Sequence, residues 1–117
     1  MKWIAHRGVS AVAPENTLAA FRMAWAHDVD GVECDVQVSA DGVVVVHHDE
    51  TTGRCGDKDF VIAESDYAQL ATVDVGAFKA ERFAGERMPT LEAVLAAMRL
   101  GSLFRWKLSL RWCNWRR

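Results

Sequence analysis

The chain has 117 residues, 50% of them hydrophobic, and a formal charge of −2, which places it among ordinary globular proteins, allows one domain and points to no particular partner. It has no apolar run of about 18 residues, and Met1-Lys2-Trp3 passes straight into a strand-like segment rather than the apolar stretch of a signal peptide, so the expected compartment is the cytoplasm. The three cysteines, Cys34, Cys55 and Cys113, are odd in number and lack CxxC spacing, which argues against a disulfide framework and against a zinc site.

Trp3-Ile4-Ala5 is short and apolar and leads into the polar His6-Arg7-Gly8, the pattern of a buried strand that delivers side chains to a functional rim. Beyond Pro14 and Asn16, the positions Leu18, Phe21, Met23, Ala24 and Trp25 recur at helical spacing and predict a helix over residues 16–27. Gly31 to Val38 alternates: Val32, Cys34, Val36 and Val38 point one way, Glu33, Asp35 and Gln37 the other.

Asp41-Gly42 predicts a two-residue hairpin turn, with the β-branched Val43–Val46 run returning along the preceding strand. That turn would set residue 40 against 43 and Asp35 against His48, with His47 facing away from the carboxylates. Ser65-Asp66 predicts the cap of a short helix ending near Leu70, and residues 76–88 read as irregular. Thr90 caps the clearest helix, with Leu91, Val94, Leu95 and Met98 on one apolar face.

Two carboxylates on one strand face, Glu33 and Asp35, suit a hard cation held through oxygen, Mg²⁺ or Ca²⁺. For two acids taken alone, a solvated edge face explains the pattern equally well, and the neighbouring histidines decide. His6 and His48 each follow an apolar run, and imidazoles can donate and accept protons in turn. Arg7 offers a planar fork that matches phosphate oxygens. Asn16 and Thr17 stand where a helix N-terminus favours anions and needs a cap, so Asn16 is either a cap or a ligand contact. A glycine-rich phosphate loop, a GxSxG elbow and a zinc-spaced cluster are all missing from the sequence.

Taken in order, His6-Arg7-Gly8, Pro14-Glu15-Asn16-Thr17, Glu33-Cys34-Asp35-Val36, Asp41-Gly42 and His48-Asp49 resemble the signature of the glycerophosphodiester phosphodiesterase family. Asp74-Val75-Gly76 and residues 83–91 are similar to its bacterial cytosolic branch, so the resemblance covers roughly residues 3–98. It implies an α/β fold, a TIM-type barrel of which about the first half is present. It also implies metal-dependent hydrolysis of small glycerophosphodiesters to an alcohol and glycerol 3-phosphate, a step of lipid and glycerol metabolism that needs neither a nucleic-acid nor a membrane partner. By the same resemblance His6 and His48 are the acid/base histidines, Glu33 and Asp35 ligands of Ca²⁺ or Mg²⁺, and Arg7 the group that holds the phosphate; Asn16, from its place at the helix N-terminus, is the second substrate-binding candidate.

The end of the chain departs from that pattern. Residues 1–92 hold all 16 acids and 8 of the 14 bases, whereas residues 93–117 hold no acid and 6 bases. Family members carry a third acidic ligand, in a Glu-x-Lys-like motif, on the strand after the helix that begins near Pro89, and no acid follows Glu92. The chain is therefore divided into a half barrel at residues 1–98 and an aberrant basic, Trp-rich tail at residues 99–117, a change that a frameshift or premature stop would produce. Arginine interleaved with tryptophan is also used against anionic membranes and nucleic acids, a reading placed second. The alternative to an enzyme is a non-catalytic fragment that binds a metal or an anionic partner.

Overall fold

The computed structural model describes residues 2–98 and 103–108. Strand β1 (Ile4–His6) pairs in parallel with β2 (Gly31–Val38), in the register Ile4↔Gly31, Ala5↔Val32 and His6↔Glu33. Between them runs helix α1 (Leu18–Ala26). Strand β4 (Leu103–Leu108) pairs in parallel with the other edge of β2, after helix α3 (Leu91–Ala97). Successive parallel strands joined through helices are the construction of a β/α barrel.

The predicted alternation in β2 is present. Val32, Cys34 and Val36 are buried against Phe21, Ala24 and Trp25 of α1 and Val94 of α3, while Glu33, Asp35 and Gln37 take the opposite face. Full burial of a side chain such as Phe21 contributes about 1.5–3 kcal/mol, so one face of β2 anchors the helices and leaves the other for polar work. Burial also pushes the Cys34 thiol up to about 12, with Asp35 and Glu33 adding to the shift, which makes it an inert core residue.

Helix α1 begins two residues later than predicted. Asn16 adopts a left-handed backbone (φ 57°), and Thr17 is the extended cap whose Oγ1 accepts a hydrogen bond from the Ala20 amide at 3.2 Å. Thr90 caps α3 as predicted, accepting from the Ala93 amide at 3.0 Å. The apolar face of α3 is less uniform than its spacing predicts, because Leu95 is 44% exposed and lines, with Val43, Val44 and Leu91, an open groove of about 490 Å³.

The hairpin differs from the expected one. Strand β3 (Val44–Val46) pairs antiparallel with β2 in the register Val36↔Val46, Gln37↔Val45 and Val38↔Val44. The loop is residues 40–42: Ser39 donates its amide to the Val43 carbonyl at 2.9 Å, Gly42 donates to Ser39 at 3.1 Å, and Gly42 takes the left-handed position at φ 85°. One extra loop residue shifts the pairing by one. His47 rather than His48 therefore continues the register beside Asp35, its amide donating to the Asp35 carbonyl at 3.0 Å.

A long excursion from β3 to α3 carries a second core of Val45, Ile62, Leu70 and Met88. The short helix expected there is α2 (Tyr67–Leu70), but Asp66 makes no side-chain cap; the Tyr67 amide donates instead to Asp41 of the hairpin loop at 3.0 Å. Residues 76–88 are irregular except for a 3-10 turn at Glu81–Phe83, and the Asp74 carboxylate gathers the amides of Gly76, Ala77 and Gly85. Residues 103–108, which the sequence reading set apart with the tail, form β4, with Glu33↔Arg105 and Asp35↔Lys107 in register. The rest of that tail, residues 99–102 and 109–117, lies outside the described residues. No helix among the described residues is long and apolar enough to cross a membrane.

Two glycines test this backbone. Gly42→Ala should cost about 1 kcal/mol, from left-handed strain alone, since an added Cβ there meets nothing within 4 Å. Gly8, at φ 80°, would place a Cβ 2.7 Å from the Ala20 backbone, so Gly8→Ala should cost about 3 kcal/mol. Urea-unfolding midpoints of the two variants check this ranking.

Candidate active site

Five of the six predicted residues, His6, Arg7, Asn16, Glu33 and Asp35, meet where the end of β1 runs beside β2. The parallel register sets His6 beside Glu33, with Nε2 3.9 Å from Oε1, and His6 remains 60% exposed. At Arg7 the backbone turns left-handed (φ 57°); its amide donates to the Glu33 carbonyl at 2.7 Å and its carbonyl accepts from Asn16 at 3.0 Å. Arg7 and Asn16, both strained, thus hold each other in place, an arrangement that clusters at functional sites.

Asp35 is 3% exposed. Asn16 Nδ2 donates to its Oδ2 at 3.1 Å, and the Asp35 amide donates to Asn16 Oδ1 at 3.3 Å. Arg7 Nε lies 3.1 Å from the same Oδ2, close enough for charge pairing though off the line of a hydrogen bond. Asn16, placed by the sequence as a cap or ligand contact, is 2% exposed and has both ends of its amide on Asp35.

The charges continue outward. Arg7 Nη1 donates to Glu15 Oε2 at 3.1 Å, and Arg54 grips Glu15 through Nη1 at 2.7 Å and Nη2 at 2.9 Å. Arg54 also donates to Asp49, from Nε at 2.7 Å and Nη2 at 3.2 Å, and Asp49 Oδ1 lies 2.7 Å from His48 Nδ1. His48 therefore joins the other predicted residues through Asp49, Arg54 and Glu15. Burial pushes the Glu15 carboxyl up, but hydrogen bonds from Arg54 and the charges of Arg54 and Arg7 outweigh it, leaving the group below its ordinary range. Arg54, then His48, hold Asp49 well below its ordinary value, and the same pairs keep Arg54 firmly protonated.

His47 keeps a structural role. It is buried, its Nε2 lies 3.2 Å from the Thr51 carbonyl, and burial lowers its pKa. Sequence reasoning assigned no role to Glu15, Asp49 or Arg54. Glu15 and Asp49 lie inside quoted motifs, but Arg54 reaches Glu15 across 39 residues, and no local pattern signals that pairing.

A hard divalent cation needs oxygen donors, and Mg²⁺ is commonly held by one or two carboxylates together with water and substrate phosphate. Glu33 and Asp35 fit that donor set, with Asp35 oriented by Asn16. Among the described residues no three His, Cys, Asp or Glu side chains gather into one cluster.

Residues 6–112 match the family model described as the Glycerophosphoryl diester phosphodiesterase family. A glycerophosphodiester phosphodiesterase of Caldanaerobacter subterraneus is 45% identical over 91 residues, covering 78% of this chain and 37% of the relative. A putative glycerophosphodiester phosphodiesterase of Bacillus subtilis is 44% identical over 92 residues, 79% and 38%. The crystal structure of a glycerophosphodiester phosphodiesterase from Agrobacterium tumefaciens superposes with a TM-score of 0.87 at 37% identity, covering 92% of this chain and 47% of that one. An Oleispira antarctica phosphodiesterase, in complex with the product sn-glycerol-3-phosphate, gives 0.88 at 35%, with 92% and 44% covered. These neighbours are TIM-type barrels, so the sheet corresponds to roughly half of one, and the chain spans less than half the length of these relatives.

Removing Arg7 leaves the buried Asp35 carboxylate facing Asn16 without a counter-charge. Arg7→Ala should cost about 3 kcal/mol, and adding Asp35→Asn should recover most of it in a double-mutant cycle read by urea unfolding. Glu15 and Asp49 are both depressed in the folded state, so the unfolded chain takes up protons first as pH falls. Their contribution is complete above about pH 5 and drains away below it. Arg54→Ala should flatten this acid limb, seen by comparing unfolding midpoints at about pH 6 and about pH 3.

Proposed function

Because the chain belongs to the glycerophosphoryl diester phosphodiesterase family, we propose that it carries the histidine and carboxylate half of a site that hydrolyses glycerophosphodiesters to an alcohol and glycerol 3-phosphate. The observation that carries this reading is the β1–β2 register, which brings His6 and Arg7, at the C-terminal end of β1, to Glu33 and Asp35 of β2. In β/α barrels that end is where chemistry is placed. The product complex of the Oleispira antarctica neighbour supports the substrate class.

Water, or the glycerol hydroxyl of the substrate, attacks phosphorus and gives up a proton to one histidine, His6 or His48. The P–O bond to the leaving alcohol breaks, and the other histidine protonates the departing alkoxide. Where the glycerol hydroxyl is the nucleophile, the product is a cyclic phosphodiester; water then adds to phosphorus and breaks the ring P–O bond to the 2-oxygen, with the two histidines exchanging proton roles, to give glycerol 3-phosphate. Arg7, held between Asp35 and Glu15, brings a fixed guanidinium toward the negative charge of the phosphoryl group. Asn16 acts on the substrate side by holding Asp35. Glu33 and Asp35 would hold Mg²⁺ or Ca²⁺, and when bound that cation supplies charge stabilisation to the phosphoryl oxygens. The reaction takes a small soluble substrate in the cytoplasm and needs no nucleic-acid or membrane partner.

A second reading is favoured by β4, in whose backbone register Arg105 pairs with Glu33 and Lys107 with Asp35. In that reading residues 99–117 depart from the enzyme's design, and the site holds an anion without turning it over. Release of sn-glycerol 3-phosphate from glycerophosphocholine, with and without Mg²⁺ or Ca²⁺, separates the two. Hydrolysis predicts metal-dependent release that falls at least about 100-fold in His6→Ala and in His48→Ala. Folded protein that binds inorganic phosphate but releases no product would reject hydrolysis and leave the second reading.

A further inference from the structure

Arg54 belongs to none of the strands or helices, yet its guanidinium meets both oxygens of Glu15, in the loop before α1, and both oxygens of Asp49, in the loop after β3. We propose that Arg54 is a positioning residue for the reaction: it fixes Asp49 so that His48 keeps its proton on Nδ1 and has Nε2 as the nitrogen that exchanges protons with substrate. The proposal rests on the reading of His48 as an acid/base group.

The argument begins with the hydrogen-bonding capacity of the partners. Asp49, doubly gripped by Arg54, is an ionised carboxylate, and an ionised carboxylate accepts hydrogen bonds but donates none. The 2.7 Å contact from Asp49 Oδ1 to His48 Nδ1 then has one assignment, with the imidazole donating from Nδ1. In neutral His48 the acceptor nitrogen is consequently Nε2. An orienting carboxylate of this kind sets both tautomer and ring direction when it is itself held still.

Asp49 has no such fixity of its own. Its side chain is partly exposed and on a loop, and among the described residues it pairs with His48 and Arg54. Without Arg54 the carboxylates of Glu15 and Asp49 would lose their shared counter-ion, and water would compete for the Asp49 oxygens. Lysine cannot replace the fork, since one ammonium does not present paired, coplanar donors to two carboxylates. Arg54 is also not a duplicate of Arg7, which meets Glu15 and Asp35 and lies on the β1 side of the site.

The experiment is long-range ¹H–¹⁵N NMR of histidine-labelled full chain at about pH 9, well above the ordinary titration range of imidazole. His48 is identified by the signal lost in His48→Gln. The wild-type chain should show a single Nδ1–H tautomer at His48, and Arg54→Ala should show a mixture, with His47 unchanged as an internal reference. Arg54→Lys should lose the single tautomer as well; it also supplies the answer if Arg54→Ala does not fold, as judged by thermal melting. A wild-type Nε2–H tautomer would overturn the proposal, as would an unchanged Nδ1–H tautomer in a folded Arg54 variant, because a loop strap acting on stability alone leaves the tautomer where it was. The readout needs no turnover, so an inactive chain with the expected tautomers rejects the hydrolysis reading while leaving Arg54 as the group that sets the His48 tautomer.

Discussion

Burying the carboxylate of Asp35 is the constraint from which the rest of the site follows. A charged group removed from water is costly unless it is paired and hydrogen-bonded, and Asp35 meets that demand with Arg7 and Asn16. Both partners reach it by leaving regular structure, each with a left-handed backbone. That turn ends β1 at His6 and sets the start of α1, so one buried charge dictates where two elements stop and begin. Arg7 then needs a second acid, Glu15, and Glu15 calls in Arg54, which holds Asp49 and through it His48. Signs alternate from Asp35 through Arg7, Glu15 and Arg54 to Asp49, and loops distant in sequence become one electrostatic unit.

Strand β2 makes this arrangement stable because its two faces are chemically separate. Val32, Cys34 and Val36 bind the helices through the hydrophobic effect, while Glu33, Asp35 and Gln37 line the other face. Gln37 extends the polar face past the end of β3 by donating to the His47 carbonyl at 3.0 Å. Packing on one side thus holds the strand rigid enough for carboxylates on the other to keep their positions, as preorganised sites require.

The relation to the barrel enzymes lies in this half of the fold. The match reaches residue 112 and includes β4, which occupies the sheet where a third parallel barrel strand would run. In its backbone register Arg105 pairs with Glu33 and Lys107 with Asp35, where the family pattern carries an acid, and this difference in sequence sets the two functional readings apart.

The alternation of residues 31–38, the cap at Thr90, and the ordered His, Glu and Asp motifs were legible in the sequence because each depends on neighbours within a few positions. The hairpin register was not: Asp41-Gly42 permits a two- or a three-residue loop, and the choice rests on Ser39, on Tyr67 of α2 and on the left-handed Gly42. Asn16 likewise reads as a cap, and only the approach of β2 shows it serving Asp35. Leu95 fits the apolar spacing of α3 but lies beside an open groove. The sequence by itself determined which side chains share a face and which family chemistry they resemble. Tertiary structure alone decided that Glu15, Arg54 and Asp49 link Arg7 to His48, since hydrogen bonds spanning 39 residues depend on how loops are brought together and leave no period in the chain.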